Sequence, residues 1–168
     1  MVTNIENPLL ICYDGSKDSK HAIKRAGELF KAKQALILTV WNPTANMGNF
    51  AWTGMMAPMV DFVALDKNAS DNAAKIANEG TLIAQNAGLE AYPLPIKTNG
   101  PTWEAIVEDA EDHNVAAIIL GCRGLTGVHS ALVGSVSAAV LHHTNRPTLI
   151  VRHSNKNHDD HEGETSGN

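Results

Sequence analysis

The sequence predicts a doubly wound α/β domain, an open parallel five-stranded sheet with helices on both faces. Two observations carry this expectation. The strand candidates are short runs that are apolar throughout, the pattern of strands buried on both faces. They also alternate strictly with segments of helical period, which calls for parallel strands joined by right-handed crossovers.

The first run, Leu9 to Tyr13, stops at Asp14-Gly15-Ser16. Beyond that turn Ala22, Ile23, Ala26, Leu29 and Phe30 recur at helical spacing, and Ser16 stands where its hydroxyl can cap the first free amides. Ala35 to Trp41 reads as the second strand, and Ala69, Ala73, Ile76, Ala77, Ile83 and Ala84 mark a second helical face closed by Gly88. Leu89 to Ile96 is the third strand. Its Pro93 and Pro95 cannot donate to a ladder, which assigns it to a sheet edge. Asn99-Gly100-Pro101 opens a third helix with Trp103, Ile106, Val107 and Ala110 on one stripe. Ala116 to Cys122 is the strongest strand; a glycine-rich loop, a helix from about Gly134 to Thr144 and a last strand, Pro147 to Val151, follow.

Two segments stand outside this pattern. Asn42 to Leu65 carries Met47, Phe50, Trp52, Met55, Met56, Met59 and Phe62 among glycine and proline, and a connection of that length is either functional or mobile. It reads equally as a Met-rich flap beside a ligand or as cover for a helix or dimer contact. Ser154 to Asn168 is polar and nearly free of large apolar residues. The division is therefore a ligand-binding domain over 1–152 and a disordered tail over 153–168. His153, His158 and His161 among Asp159, Asp160 and Glu162 have metal-ligating chemistry, but ordering the tail would cost about 1–2 kcal/mol per residue, so no metal site is expected.

At 168 residues the chain can bury a core without staples. Its net charge of -5 and isoelectric point near 5.9 argue against nucleic acid and anionic membranes, which need clustered Lys and Arg. No apolar run approaches the roughly 20 residues of a membrane span, and Met1 to Pro8 lacks the pattern of a signal peptide, so a cytoplasmic location is expected. The two cysteines, Cys12 and Cys122, both lie in apolar runs and read as structural thiols of a reducing compartment.

In sheets of this kind ligands bind outside the carboxyl ends of the strands, where the strand order reverses. The turn after the fourth strand reads Gly121-Cys122-Arg123-Gly124, followed by nine residues and Gly134-Ser135 at a helix start. Glycines let backbone amides approach a phosphate chain, and a helix N-terminus adds free N–H groups with the positive end of its dipole. Ser135 can add a hydroxyl donor. Arg123 can neutralise a phosphate or lie solvated, and His129 reads as structural or exposed. Asp14, taken alone, is an Asx-turn or helix-cap residue.

From about Pro8 to Arg152 the chain resembles the universal stress protein family, whose ATP-binding pattern G-x2-G-x9-G-[ST] is matched by Gly121, Gly124, Gly134 and Ser135. The stretch from Val136 to Arg152, with His142-His143 and Arg146-Pro147, is similar to the family's closing helix and strand. The resemblance implies that Asp14 contacts the nucleoside and that Val40 borders the adenine. It further implies that Gly124, Gly134, Ser135 and Val136 meet the phosphates while Gly121 shapes the turn. It implies ATP as ligand and a homodimer paired through Pro147 to Val151 with the strand order 3-2-1-4-5; any metal at the site is expected to be magnesium riding on the phosphates rather than held by a protein cage. No G-x-x-x-x-G-K-[ST] occurs, so the lysine and magnesium-binding hydroxyl of a P-loop are missing. The expected role is thus a regulatory or sensing module of the stress response. A slow ATPase or self-phosphorylating protein is the alternative, and an interaction-only protein with a structural glycine loop is the third reading.

Overall fold

A computed structural model of the chain describes residues 6–30, 33–43, 62–124 and 133–153. Among the described residues nine elements succeed one another: β1 (Leu9–Cys12), α1 (Lys17–Leu29), β2 (Gln34–Trp41), α2 (Phe62–Asn86), β3 (Glu90–Lys97), α3 (Thr102–Asp112), β4 (Ala117–Gly121), α4 (Ser135–His143) and β5 (Thr148–Val151). The sheet has the order β3-β2-β1-β4-β5 and every pairing is parallel. This is the doubly wound α/β architecture that the alternation of apolar runs predicts.

Strand side chains alternate between two cores. Leu9, Ile11 and Tyr13 join Ile37 and Ile119 on one face, covered by Ala22, Ile23 and Ala26 of α1 and by Ala84 of α2. Leu10, Leu36, Leu38, Ile118 and Leu120 lie on the other, covered by Ile106 and Ala110 of α3 and Val140 of α4. Ile11, Ile37 and Ile119 are fully buried, each contributing about 1.5–3 kcal/mol of apolar burial. Because β1 and β4 take both faces from α-helical layers, their sequences are continuously apolar rather than alternating.

Local chemistry sets the element ends. Gly15 and Gly88 have φ of 83° and 89°, a backbone conformation open to glycine, and so form the β1–α1 turn and close α2. The Ser16 hydroxyl accepts the Ser19 N–H at 3.2 Å as N-cap of α1. β3 lies at one sheet edge, as its prolines require. The N–H groups of Glu90 and Thr98 donate to Lys33 and Trp41 on the β2 side. Even-numbered residues of β3 therefore face β2, and the nitrogens of Pro93 and Pro95 face outward. β5 is the opposite edge.

One boundary differs from expectation. The apolar stripe dates α2 from Ala69, whereas the helix begins at Phe62, inside the segment expected to be a loop. Val63 and Leu65 are exposed, so the first turns bury no stripe that periodicity could register. The Met-rich stretch 44–61 and the tail from 154 onward lie outside the described residues. No helix among the described residues is long and apolar enough to cross a membrane.

Candidate functional site

Strand order reverses between β1 and β4: β2 and β3 continue to one side, β5 to the other. Connections leaving the carboxyl ends of β1 and β4 therefore turn to opposite faces and leave a crevice between them. A cavity of about 310 Å³ opens there. Asp14, Val40, Gly121, Arg123, Gly124, Gly134, Ser135 and Val136 all line it, so the residues expected at a nucleotide lie around one cavity. Leu38, Ile106 and Leu120 from the core under α3 and α4, and Ile76 from the core under α1 and α2, add apolar lining beside the polar cradle of the glycines and Ser135.

Asp14 is held by its own turn. Its Oδ1 accepts the Ser16 N–H at 3.0 Å and the Ser19 hydroxyl at 2.7 Å. The Asx-turn reading of Asp14 is thereby realised, and the carboxylate still borders the cavity. Its Oδ2 lies against Gly124: a Cβ on Gly124 would stand 2.8 Å from it. Thr39 donates to the Tyr13 carbonyl at 2.9 Å, and the Tyr13 N–H donates to the Leu38 carbonyl at 2.8 Å. These bonds carry the β1–β2 ladder past the end of β1, so that Asp14 and Val40 are fixed across the mouth of the crevice.

On the β4 side, Gly121 is packed against the first turn of α1, where a Cβ would come within 2.7 Å of the Asp18 carbonyl carbon and the Ser19 nitrogen. No other residue type fits without displacing backbone. Gly134 is the N-cap of α4 and supplies no side-chain cap. Its own N–H donates to the Cys122 carbonyl at 2.8 Å, so among the amides expected to meet an anion this one is already engaged. The amides of Ser135, Val136 and Ser137 form the first turn of α4, with the positive end of the helix dipole behind them.

Arg123 does not stand free. Its Nε is 3.3 Å from Asp18 Oδ2, and Asp18 is a buried residue in the first turn of α1. Among the described lining residues Arg123 is the one Lys or Arg, and residues 44–61 and 125–132 contain neither type. Among the described residues the cradle thus presents backbone dipoles rather than a cluster of cations. Cys12 lies on the floor of the cavity. Burial pushes its thiol up out of the range in which a thiolate forms at neutral pH, and the carboxylates of Asp14 and Asp109 push the same way. Cys122 is buried, and both thiols are free. His129 lies outside the described residues. Among the described residues no group of His, Cys, Asp and Glu is placed to hold a metal ion.

Sequence reasoning missed the residues that hold the cradle in shape. Ser19 orients Asp14, and Ser137 donates to the Gly121 carbonyl at 2.9 Å. Ser19 carried a signal, as the third residue after the cap Ser16; Ser137 carried none beyond standing two places after Ser135.

Comparison with known proteins adds the family. The model of the Universal stress protein family matches residues 7–152. Universal stress protein YxiE of Bacillus subtilis is 29% identical, over 87% of this chain and 99% of its own. Universal stress protein MJ0577 of Methanocaldococcus jannaschii is 42% identical, over 84% of this chain and 92% of its own. The solved structure of MJ0577 superposes with a TM-score of 0.69 over 90% of this chain and 99% of the other. The identity over that superposition is 24%. A universal stress protein solved in complex with cAMP superposes with a TM-score of 0.62 at 24% identity, covering 89% of this chain and 99% of that one.

Proposed function

This chain belongs to the universal stress protein family, and we propose that within it the protein is a cytoplasmic regulatory or sensing module that binds ATP in the crevice between β1 and β4. One observation carries the reading. Gly121, Gly124, Gly134 and Ser135 of the G-x2-G-x9-G-S spacing, with Asp14 just beyond β1 and Val40 near the end of β2, the positions that the family resemblance implies for the nucleoside, line a single cavity at the switch point of the sheet. The adenine takes the apolar side, bordered by Val40, Leu38 and Ile106. Asp14 faces the ribose. The phosphates take the first turn of α4, where Ser135 and Val136 offer amides, with Gly124 leaving the backbone of the opposite lip bare.

Charge supports a metal-nucleotide complex as ligand. Arg123 is compensated by Asp18, and Asp14 adds a negative charge at the lip. A polyphosphate entering this cradle meets dipoles and, among the described lining residues, one cation already paired with Asp18, so Mg²⁺ carried on the phosphates supplies the missing charge. The chain binds this magnesium through the nucleotide and holds it with no cage of its own. The family relative in complex with cAMP supports an adenine nucleotide as the ligand class.

Isothermal calorimetry on nucleotide-stripped protein tests the reading. ATP with Mg²⁺ is expected to bind, to bind more weakly in EDTA, and to be lost in Gly134→Val. A Cβ at Gly134 already lies 3.1 Å from the Cys122 carbonyl oxygen, and a branched side chain would push the start of α4 away from the cradle. Absence of ATP binding by the stripped wild-type protein overturns the proposal.

A further inference from the structure

Nine residues separate Gly124 from Gly134 in the sequence, and the end of β4 and the start of α4 on either side of them are joined directly. The Cys122 carbonyl accepts the Gly134 N–H at 2.8 Å, and the preceding carbonyl, that of Gly121, accepts the Ser137 hydroxyl at 2.9 Å. Two successive carbonyls leaving β4 are thus clasped by the first turn of α4. On the other side Cys122 is anchored to the sheet, its N–H donating to the Val151 carbonyl at 2.6 Å.

Ser137 makes an unusual choice for a serine within a helix. Such hydroxyls commonly turn back to a carbonyl of the preceding turn or to a cap. Here the hydroxyl spans sixteen residues to a strand end, and the residue is buried although it borders the cavity. Gly121, the acceptor, is the residue packed without any Cβ space on the first turn of α1. A single hydroxyl therefore ties the start of α4 to the point where β4 meets α1, and with it the orientation of the Ser135 and Val136 amides.

We propose that Ser137 is a positioning residue of the nucleotide site, setting the first turn of α4 against Gly121 so that its amides converge on the phosphates. The proposal rests on the nucleotide reading above, and it makes a distinction that a general packing role would not. Ser137 acts on the phosphate half of the cradle, whereas the nucleoside half is built from β1, β2 and α3. Its loss should be felt by ATP and ignored by adenosine.

The experiment is calorimetric titration of wild type, Ser137→Ala and Ser137→Thr with Mg-ATP and with adenosine. Ser137→Ala is expected to weaken Mg-ATP by about fivefold, the order of one hydrogen bond, with adenosine affinity unchanged, and Ser137→Thr to retain wild-type affinity for both. Where Ser137→Ala does not fold, Ser137→Cys, close in volume but a weak donor, carries the same comparison. Equal weakening toward ATP and adenosine, or no weakening toward ATP, overturns the inference while leaving nucleotide binding intact. Wild-type protein that takes up neither ligand overturns the nucleotide reading and the inference with it.

Discussion

The carboxylate of Asp14 and the Cα of Gly124 face each other so closely that a methyl group on Gly124 would stand 2.8 Å from Asp14 Oδ2. The two residues lie on different strands' connections and together form one lip of the cavity. Asp14 cannot simply swing away, because its Oδ1 is held by the Ser16 amide and the Ser19 hydroxyl.

Gly124→Ala is therefore expected to weaken ATP binding by displacing Asp14, and Asp14→Ala to weaken it by about 0.5–1.5 kcal/mol, the worth of a hydrogen bond to a partly solvated group. The double variant should bind no worse than Asp14→Ala, since the obstruction vanishes with the carboxylate. Calorimetry over the four proteins gives the coupling. Strictly additive losses would mean that the two residues act apart.

Asp109 on α3 offers a test by pH. Burial is the largest influence holding its carboxyl above the ordinary aspartate range; Glu108 and Asp112 act in the same direction and His113 opposes them. A folded-state value above the unfolded one means that the stabilising contribution is fully present below the unfolded value and is lost as pH rises through the folded one. Asp109→Asn should then raise stability at pH 7, with the gain fading toward pH 4. Urea unfolding at the two pH values measures this, and a loss of stability at pH 7 would contradict it.

The thiols are expected to be slow. Cys12 has its thiol raised by burial and by two neighbouring carboxylates, and Cys122 is buried. At pH 8 a disulfide reagent should modify the folded protein at least about a hundredfold more slowly than the unfolded chain. Rapid labelling of either cysteine would identify a reactive thiol in place of a structural one.

At the β5 edge the hydrogen-bonding sides can be read from β4. Ile118 and Cys122 donate to the carbonyls of Pro147 and Val151, so odd-numbered residues of β5 face β4, and Thr148 and Ile150 point their backbone groups outward. Outward donors and acceptors beside half-buried Leu149 and Ile150 suit pairing with a second copy of the strand. Ile150→Pro removes an outward N–H and leaves the β4 ladder complete. Sedimentation is expected to show a dimer for wild type and a monomer for the variant; a monomeric wild type at micromolar concentration would exclude the pairing.

The sheet and the position of the cavity were legible because burial on both faces writes itself into continuous apolar runs, and because Gly121, Gly124 and Gly134 mark backbone that must approach something closely. Most element ends fell within a residue or two, since Ser16, Gly88 and Pro101 are local signals. What sequence could not supply were pairings between distant residues. Nothing near Arg123 announces Asp18, and nothing near Gly134 announces that its amide is occupied by Cys122. The early start of α2 escaped for the opposite reason: Val63 and Leu65 are apolar yet exposed, so the stripe they suggest is not a buried one.

The prolines of β3 bear on a different matter, how large an assembly of this chain can grow. With the nitrogens of Pro93 and Pro95 directed away from β2, that flank offers no regular row of donors to an incoming chain. Association by strand addition is thus one-sided. Two copies joined through β5 make a continuous ten-stranded sheet whose outer margins are both proline-bearing β3 strands. A dimer of that kind would have its two free margins interrupted by Pro93 and Pro95, which disfavours strand addition by a third molecule and with it growth toward a fibre.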